Sequence, residues 1–161
     1  MLGERVVYGQ AVEILIVGGA AGVLIGVLRP GRTTADCDVM VYAPAKAMGA
    51  VELAAERVAM ELGFSGNWLN SDAQLRRDTL PDGWEGRRHH LGDHGNLRVY
   101  ALSRLDLFAM KVVAGRPQDL DDLEAMKVRQ EELRFVRDHL TRLEAPGNRS
   151  GADRRCEGAT R

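Results

Sequence analysis

Residues 17–41 of the chain read VGGAAGVLIGVLRPGRTTADCDVMV. An apolar run reaches Gly18-Gly19, a polar loop follows, and a second apolar run carries Asp36 and Asp38, which one residue separates. Alternate side chains of a strand share a face, so we expect both aspartates on one face and Cys37 on the other. The stretch therefore predicts a strand, a glycine turn into a helix, and a second strand that bears two carboxylates.

Two adjacent carboxylates repel each other unless a cation lies between them, and carboxylate oxygens are typical ligands of Mg²⁺ and Mn²⁺. The glycine pair complements them, because N–H groups at a helix N-terminus bind anions and glycine lets a phosphate approach the backbone. We therefore predict Asp36 and Asp38 as metal ligands next to a phosphate site at Gly18 and Gly19.

Charge and cysteine content exclude several classes of protein. The chain has 22 basic and 23 acidic residues and a net charge of −1, so no global field attracts nucleic acid or an anionic membrane. Cys37 and Cys156 do not make a disulfide framework, which predicts a reducing cytoplasm. The uncharged run 14–28 has 15 residues, fewer than the roughly 20 that cross a membrane, so we expect no membrane span.

Hydrophobic periodicity and turn residues predict alternating strands and helices, followed by helices alone. The predicted strands are 12–17, 35–42, a short one at 67–70, and 97–102. The predicted helices are 20–28, 44–62, 104–115, 117–126 and 130–143, with Pro30-Gly31, Gly63 and Ser103 at helix ends. The rest of 64–96 is polar and is interpreted as loops and short strands, with a polar loop at His89, His90, Asp93 and His94.

The length of 161 residues suits one domain. We predict a domain over residues 1–144, with a core at 12–102 and a helical portion at 103–144, and a disordered tail at 145–161.

A second concentration of charged residues lies in 111–122, KVVAGRPQDLDD. Asp119 and Asp122 are three residues apart in a predicted helix and therefore share a face, near Lys111 and Arg116 across a tight corner. Asp121 points elsewhere by the same geometry. Taken alone, the segment is also explained by helix caps and surface ion pairs.

Together these motifs resemble the nucleotidyltransferase superfamily, the fold of DNA polymerase beta. A glycine pair after a strand and an Asp-x-Asp on the next strand are its signature, matched by Gly18-Gly19 and Asp36-Cys37-Asp38. The closer resemblance is to abortive-infection toxins and uncharacterised nucleotidyltransferase-like proteins, through an Arg-x-Thr loop and a Lys-x-x-Ala-x-Arg-x-x-Asp-x-x-Asp segment. The residues that match these two motifs are Arg32, Thr34, Lys111, Ala114, Arg116, Asp119 and Asp122.

The resemblance implies an α/β nucleotidyltransferase fold, a small mixed sheet flanked by helices with a helical C-terminal portion. It implies transfer of a nucleoside monophosphate from an NTP, with Mg²⁺ or Mn²⁺ held by Asp36 and Asp38. The residues implied to bind the nucleotide phosphates are Gly18, Gly19, Arg32, Thr34, Lys111 and Arg116. Lys111 and Asp119 are implied to be catalytic, and Asp122 supports them.

The resemblance leaves the acceptor open among tRNA, a protein and a small molecule. It also leaves open whether the protein is the toxin of a toxin–antitoxin pair with an antitoxin partner. Many members carry a third carboxylate on a later strand, but the predicted strand 97–102 has none. Asp93 or Asp119 is the substitute that the sequence offers.

Two other interpretations remain open. A glycine-rich turn after the first strand and an acid further on also suit a Rossmann dinucleotide-binding protein, although the order G-x-G-x-x-G is absent. A nucleotidyltransferase fold that has lost catalysis would act as a binding or regulatory module.

Overall fold

A five-stranded mixed sheet forms the centre of the fold. In this computed structural model, which describes residues 2–29, 32, 34 and 36–145, the strands follow the order β3-β2-β1-β5-β4. They are β1 (Val12–Ile16), β2 (Cys37–Ala43), β3 (Leu69–Asn70), β4 (His89–His94) and β5 (Leu97–Ala101). β1 pairs with β2 antiparallel and with β5 in parallel, β3 is parallel to β2, and β4 is antiparallel to β5.

Seven α-helices and two 3₁₀ helices are found in the described residues. The α-helices are α1 (Leu2–Arg5), α2 (Gly18–Leu24), α3 (Met48–Leu62), α4 (Trp84–Arg87), α5 (Arg104–Ala114), α6 (Pro117–Met126) and α7 (Gln130–Glu144). The 3₁₀ helices are Ala45–Ala47 and Asp72–Thr79. The predicted mixed sheet with flanking helices and a helical C-terminal portion is therefore confirmed.

Each sheet face buries its own apolar cluster, because successive strand residues point to opposite faces. On one face the strands pack against α3, and the cluster includes Val12, Ile14, Val41, Val51 and Ala54. On the other face the cluster includes Leu15, Met40, Trp84, Leu102 and Leu107, the last from α5. Asp38 alternates with Val39 and thus lies on the same face as Met40, which is the face that α5 covers.

The pairing of β1 with β2 excludes the Rossmann interpretation. That fold requires its first two strands to be parallel, whereas Ile16 opposes Val39 and Ile14 opposes Val41 in an antiparallel ladder.

Two predicted boundaries near the glycine pair are wrong. The helix predicted at 20–28 is α2, which covers Gly18–Leu24. It ends early because the N–H groups of Val27 and Leu28 both bond to the carbonyl of Gly22. β2 begins at Cys37, because Cys37 is the first residue that pairs with a neighbouring strand: it opposes Leu69 of β3, and the ladder with β1 reaches only to Val39. Asp36 therefore precedes the strand and does not lie inside it.

Residues 64–96 contain more regular structure than their polar composition predicts. The polar loop predicted at His89, His90, Asp93 and His94 is instead the edge strand β4, which is exposed on both faces and so lacks the apolar alternation of a strand. The 3₁₀ helix Asp72–Thr79 and helix α4 were not predicted. The short strand predicted at 67–70 is confirmed as β3.

Other predictions have mixed outcomes. The long helix predicted from residue 44 is a 3₁₀ turn followed by α3, and Gly63 ends it in the left-handed conformation, as expected. The turn at Pro30-Gly31 and the tail from residue 146 onward lie outside the described residues. None of the helices that the structure describes has the length and apolarity to cross a membrane.

Gly3 marks the place where α1 packs against β4. A Cβ at residue 3 would lie 1.5 Å from the carbonyl oxygen of His94, a backbone atom. We expect Gly3→Ala to lower the free energy of unfolding by about 1–3 kcal/mol, because the backbone must shift to relieve the overlap. Urea denaturation measures the change.

Gly49→Ala is the matched control, because a Cβ on this helical glycine meets nothing within 4 Å. We expect this variant to be as stable as the wild type or up to about 1 kcal/mol more stable, since alanine favours helix. Equal stability of the two variants would contradict the packing of α1 on β4.

Candidate active site

The two predicted metal ligands lie where β2 begins, beside the end of β1. Asp38 is half-buried, its Oδ1 accepts a hydrogen bond from Asn70 Nδ2 at 3.0 Å, and its carbonyl accepts from the N–H of Val17 at 2.9 Å. Burial and the neighbouring Asp36 raise the pKa of the Asp38 carboxyl above its usual value. The two carboxylates therefore repel each other when both are charged, and a bound cation would reduce this repulsion.

Gly18 and Gly19 have no space for side chains. A Cβ on Gly18 would lie 2.7 Å from Asp38 Oδ2, and the φ of Gly18 is +63°, which L residues rarely adopt. A Cβ on Gly19 would lie 2.6 Å from a guanidinium nitrogen of Arg32 and 2.8 Å from a methyl carbon of Thr34. The glycine pair thus lets the Asp38 carboxylate and the loop with Arg32 and Thr34 approach the start of α2.

A chain of five charged side chains borders the aspartate pair. Lys111 Nζ donates to Asp119 Oδ1 at 3.1 Å and to Asp122 Oδ2 at 2.5 Å. Arg32 donates to both oxygens of Asp122, at 2.5 and 2.8 Å. Arg116 Nε donates to Asp119 Oδ2 at 2.7 Å. The order is Arg32–Asp122–Lys111–Asp119–Arg116, and it connects α5, α6 and the loop before β2.

The centre of this network is buried and its ends are not. Lys111, Asp119 and Asp122 are each at most 4 % exposed, whereas the Arg116 side chain is 53 % exposed. Burial acts to raise the pKa of Asp119, but hydrogen bonds from Arg116 and Lys111 outweigh it, and the pKa lies below its usual value. Asp119 is therefore held as a carboxylate. The pKa of Arg116 is raised, first by its hydrogen bonds with Asp119 and then by the negative charges of Asp119, Asp38 and Asp36.

The structure brings most of the predicted site residues to a single cavity of about 330 Å³, which we call the central cavity. Gly19, Arg32, Thr34, Asp36, Asp38, Lys111, Arg116, Gln118 and Asp119 line it. Gly18 lines an adjoining cavity that shares Asp38. Asp122 does not line the central cavity; it lines a neighbouring cavity with Arg32 and accepts hydrogen bonds from Lys111 and Arg32. The ammonium of Lys111 faces these carboxylates, so a contact with a substrate phosphate would require it to exchange partners.

Residues next to Asp38 that the sequence did not indicate come from 70–79. Asn70 donates to Asp38 and accepts from the N–H of Asp72 at 3.0 Å, so one amide holds the carboxylate and the following turn. Asp72 and Arg76 line the adjoining cavity with Asp38. The parallel pairing of Asp38 with Asn70 brings these residues next to Asp38. The sequence does not indicate this, because β3 has only two residues and shows no periodic pattern.

Two candidate residues lie elsewhere or are chemically unsuitable. Asp93 is on the edge strand β4, where it lies 2.8 Å from His90 Nε2 and outside the cavities at the aspartate pair. Asp119 lies in the central cavity, but its charge is matched by Lys111 and Arg116. Burial raises the pKa of Cys37 to about 11, which suits a protonated thiol and not a nucleophile.

The contribution of Lys111, at the middle of the network, can be tested by measuring the free energy of unfolding. We expect Lys111→Met to lower the free energy of unfolding by about 3 kcal/mol at pH 7, because two buried carboxylates lose their shared partner. Chemical denaturation measures the loss.

Lys46→Met, at an exposed position, is the control and should change stability by less than about 0.5 kcal/mol. If the two variants lose the same stability, the network does not hold α5 to α6.

Comparison with known proteins gives one match. The model of a family described as nucleotidyltransferase of unknown function (DUF6036) matches residues 5–142, a range that includes every residue of the site. No curated protein and no solved structure matches the chain. The closer resemblance to abortive-infection toxins therefore stays a prediction. The match covers most of the chain and agrees with the mixed sheet and its glycine and aspartate motifs, so the chain belongs to this family of nucleotidyltransferases of unknown function.

Proposed function

We propose that the protein transfers a nucleoside monophosphate from an NTP to an acceptor in a metal-dependent reaction. The observation that carries the proposal is the composition of the central cavity, in which two carboxylates without an ion pair in the described part of the chain face the guanidinium groups at the ends of a network of three cations and two acids. The acids suit a divalent cation and the guanidinium groups suit phosphate oxygens.

The residues present fit Mg²⁺ or Mn²⁺. Among the described residues no group of three or more His, Cys, Asp or Glu side chains is placed to hold a metal ion. Asp36 and Asp38 alone agree with the way Mg²⁺ is commonly bound, by one or two carboxylates together with water and substrate phosphates. When bound, the ion would neutralise charge on the phosphates and so favour transfer.

The other side chains of the site have distinct roles in this proposal. Arg116 and Arg32 bind the phosphates through the Nη1 side of each guanidinium, because their Nε and Nη2 groups already donate to Asp119 and Asp122. Gly18 and Gly19 leave the backbone accessible, and the hydroxyl of Thr34 adds a donor at the cavity wall. Lys111 is a positioning residue, since it holds Asp119 and Asp122, which orient the two arginines.

The reaction itself is a displacement at the α-phosphorus. The oxygen of an acceptor hydroxyl forms a bond to the α-phosphorus as the bond to the pyrophosphate oxygen breaks; the hydroxyl proton passes to water, and pyrophosphate leaves. Several points rest on the sequence alone and stay predictions. They are the acceptor (tRNA, a protein or a small molecule), the toxin role, the antitoxin partner and the cytoplasmic location.

A second candidate is a binding or regulatory module that keeps the nucleotide site without the chemistry. It is favoured by the small number of ligands for a metal ion, since in the described residues no third acid joins Asp36 and Asp38 in a group that could hold one, while Asp93 contacts His90 and Asp119 pairs with Lys111. Binding of Mg²⁺ and NTP without transfer to any acceptor would support this candidate over the enzyme.

Asp38→Asn tests the metal site through stability. The pKa of Asp38 is higher in the folded protein than in the unfolded chain, so its ionisation lowers stability as the pH rises through that pKa. Removal of the charge should therefore stabilise the protein at pH 7 but not below about pH 4. We expect a gain below about 1 kcal/mol at pH 7, because the group is only half-buried. We also expect Mg²⁺ to raise the melting temperature of the wild type and not of the variant.

Asp78→Asn, an exposed acid on the 3₁₀ helix Asp72–Thr79, is the control and should keep the Mg²⁺ response. A Mg²⁺ response that survives Asp38→Asn unchanged would remove Asp38 from the metal site.

Transfer is tested with each α-³²P-labelled NTP, Mg²⁺ or Mn²⁺, and bulk tRNA or cell extract as acceptor. We expect a labelled product whose formation falls by at least about 100-fold in an Asp36→Ala/Asp38→Ala variant, because the metal supplies several kcal/mol of transition-state stabilisation. Asp138→Ala, an exposed acid on α7, is the control and should keep full activity. Absence of both labelled product and Mg²⁺-dependent NTP binding in the wild type would refute the proposed function.

A further inference from the structure

An adjoining cavity of about 250 Å³ opens at Asp38 and Gly18 and runs between α5 and the 3₁₀ helix Asp72–Thr79; we call it the α5 slot. The wall from α5 includes Leu107, Met110 and Ala114. These residues follow the spacing i, i+3, i+7 and share one face of α5 with Lys111, whose ammonium donates to Asp119 and Asp122. Met110 and Ala114 are only half-buried, so the apolar part of this face remains partly open at the active site.

The opposite wall of the α5 slot comes from the 3₁₀ helix and includes Ala73 and Arg76. Arg76 is exposed, and its carbonyl accepts from the Thr79 hydroxyl at 2.7 Å. Within the described part of the chain its guanidinium has no hydrogen-bond or ion-pair partner. A guanidinium opposite an apolar wall is suited to cover a flat aromatic ring, on whose face a cation is attracted.

The cavities around the aspartate pair differ in charge and polarity. The central cavity contains Arg32 together with Arg116, which also lines the α5 slot, and it suits phosphates. A third cavity, of about 380 Å³, opens at Asp36 and is lined by Glu52, Glu56 and Asp72, and none of the described residues that line it is basic. A polyphosphate would be repelled there. Of these three cavities, only the α5 slot combines an extended apolar wall with a position next to Asp38.

We propose that the α5 slot binds the nucleoside of the donor NTP, with the base between the Met110 side of α5 and the guanidinium of Arg76. The inference rests on the proposed function, since the triphosphate is taken to lie in the central cavity. It adds a binding site for an aromatic base, and it makes Arg76 and Ala73 determinants of nucleotide affinity. The thioether of Met110 is flexible and polarizable, which suits contact with an aromatic ring.

The test compares ligands that carry a nucleoside on a chain of three phosphorus atoms with a triphosphate that has no nucleoside. Isothermal titration calorimetry with Mg²⁺ measures binding of the α,β-methylene analogues of the four NTPs and of inorganic tripolyphosphate, to the wild type and to Ala73→Trp. The indole fills the α5 slot, so we expect the dissociation constant of the analogues to rise at least about tenfold, which is the effect of about 1.4 kcal/mol. Tripolyphosphate should bind within about twofold of the wild type, because the central cavity is unchanged.

Ala45→Trp is the matched control for added bulk. Ala45 is exposed in the 3₁₀ helix Ala45–Ala47 and lines none of the cavities at the aspartate pair. We expect this variant to bind the nucleotide analogues as the wild type does. An equal loss of analogue binding in Ala45→Trp and Ala73→Trp would show that added bulk, and not occupation of the α5 slot, weakens binding, and it would overturn the inference.

A second pair of variants removes charge without adding bulk. Arg76→Gln should raise the dissociation constant of the analogues by about three- to tenfold and leave tripolyphosphate binding unchanged, as expected for loss of a cation over a ring. Arg77→Gln makes the same charge change at the next residue, which does not line the α5 slot, and should have no effect. Circular dichroism melts confirm that each variant is folded.

The possible outcomes separate this inference from the proposed function. If the wild type binds neither an analogue nor tripolyphosphate with Mg²⁺, the proposed function fails and the inference fails with it. If the wild type binds both, and the Ala73 and Arg76 variants weaken both ligands equally or neither, the nucleotide site stands but the α5 slot does not hold the nucleoside. Selective loss of the analogues in both variants supports the assignment.

Discussion

The buried ammonium of Lys111, placed between the carboxylates of Asp119 and Asp122, is the interaction on which the arrangement of the site depends. It joins α5 to α6, and through Asp122 it also holds Arg32 of the loop that precedes β2. Charges with so little exposure are stable only when each has an opposite partner. The paired partners are available only when both helices and the loop are in place, so the network couples local structure to the overall fold.

The electrostatic contrast between the two groups of acids explains how one site can hold both a cation and an anion. Asp119 and Asp122 are matched by three basic side chains, whereas Asp36 and Asp38 lie next to the network without a direct ion pair among the described residues. The first group therefore organises the arginines, and the second group retains unsatisfied negative charge. Perturbed carboxyl groups of this kind in a cavity are typical of functional sites.

Most of the sheet and the long helices could be predicted because their apolar residues repeat with the period of the element. β5, α3 and the three C-terminal helices each bury one side against the core, and burial imposes that period on the sequence. β1 is buried on both faces and is apolar almost throughout. The segment between α3 and β5 could not be predicted in the same way. Its strand β4 is exposed on both faces, and the 3₁₀ helix Asp72–Thr79 has no buried residue, so neither requires an apolar repeat.

The sequence by itself determined the chemical groups of the site: the glycine pair, Asp36 with Asp38, and the spacing of Lys111, Asp119 and Asp122 on neighbouring helices. These groups are set by residue type and by contacts over short distances along the chain. Only the tertiary structure decided that Lys111 is turned toward its own acids, that Arg32 pairs with Asp122, and that Asn70 and Arg76 lie beside Asp38. The Arg32–Asp122 contact joins residues 90 positions apart, and the Asn70–Asp38 contact joins residues 32 apart. Strand pairing and helix packing create such contacts, and no local pattern in the sequence encodes them.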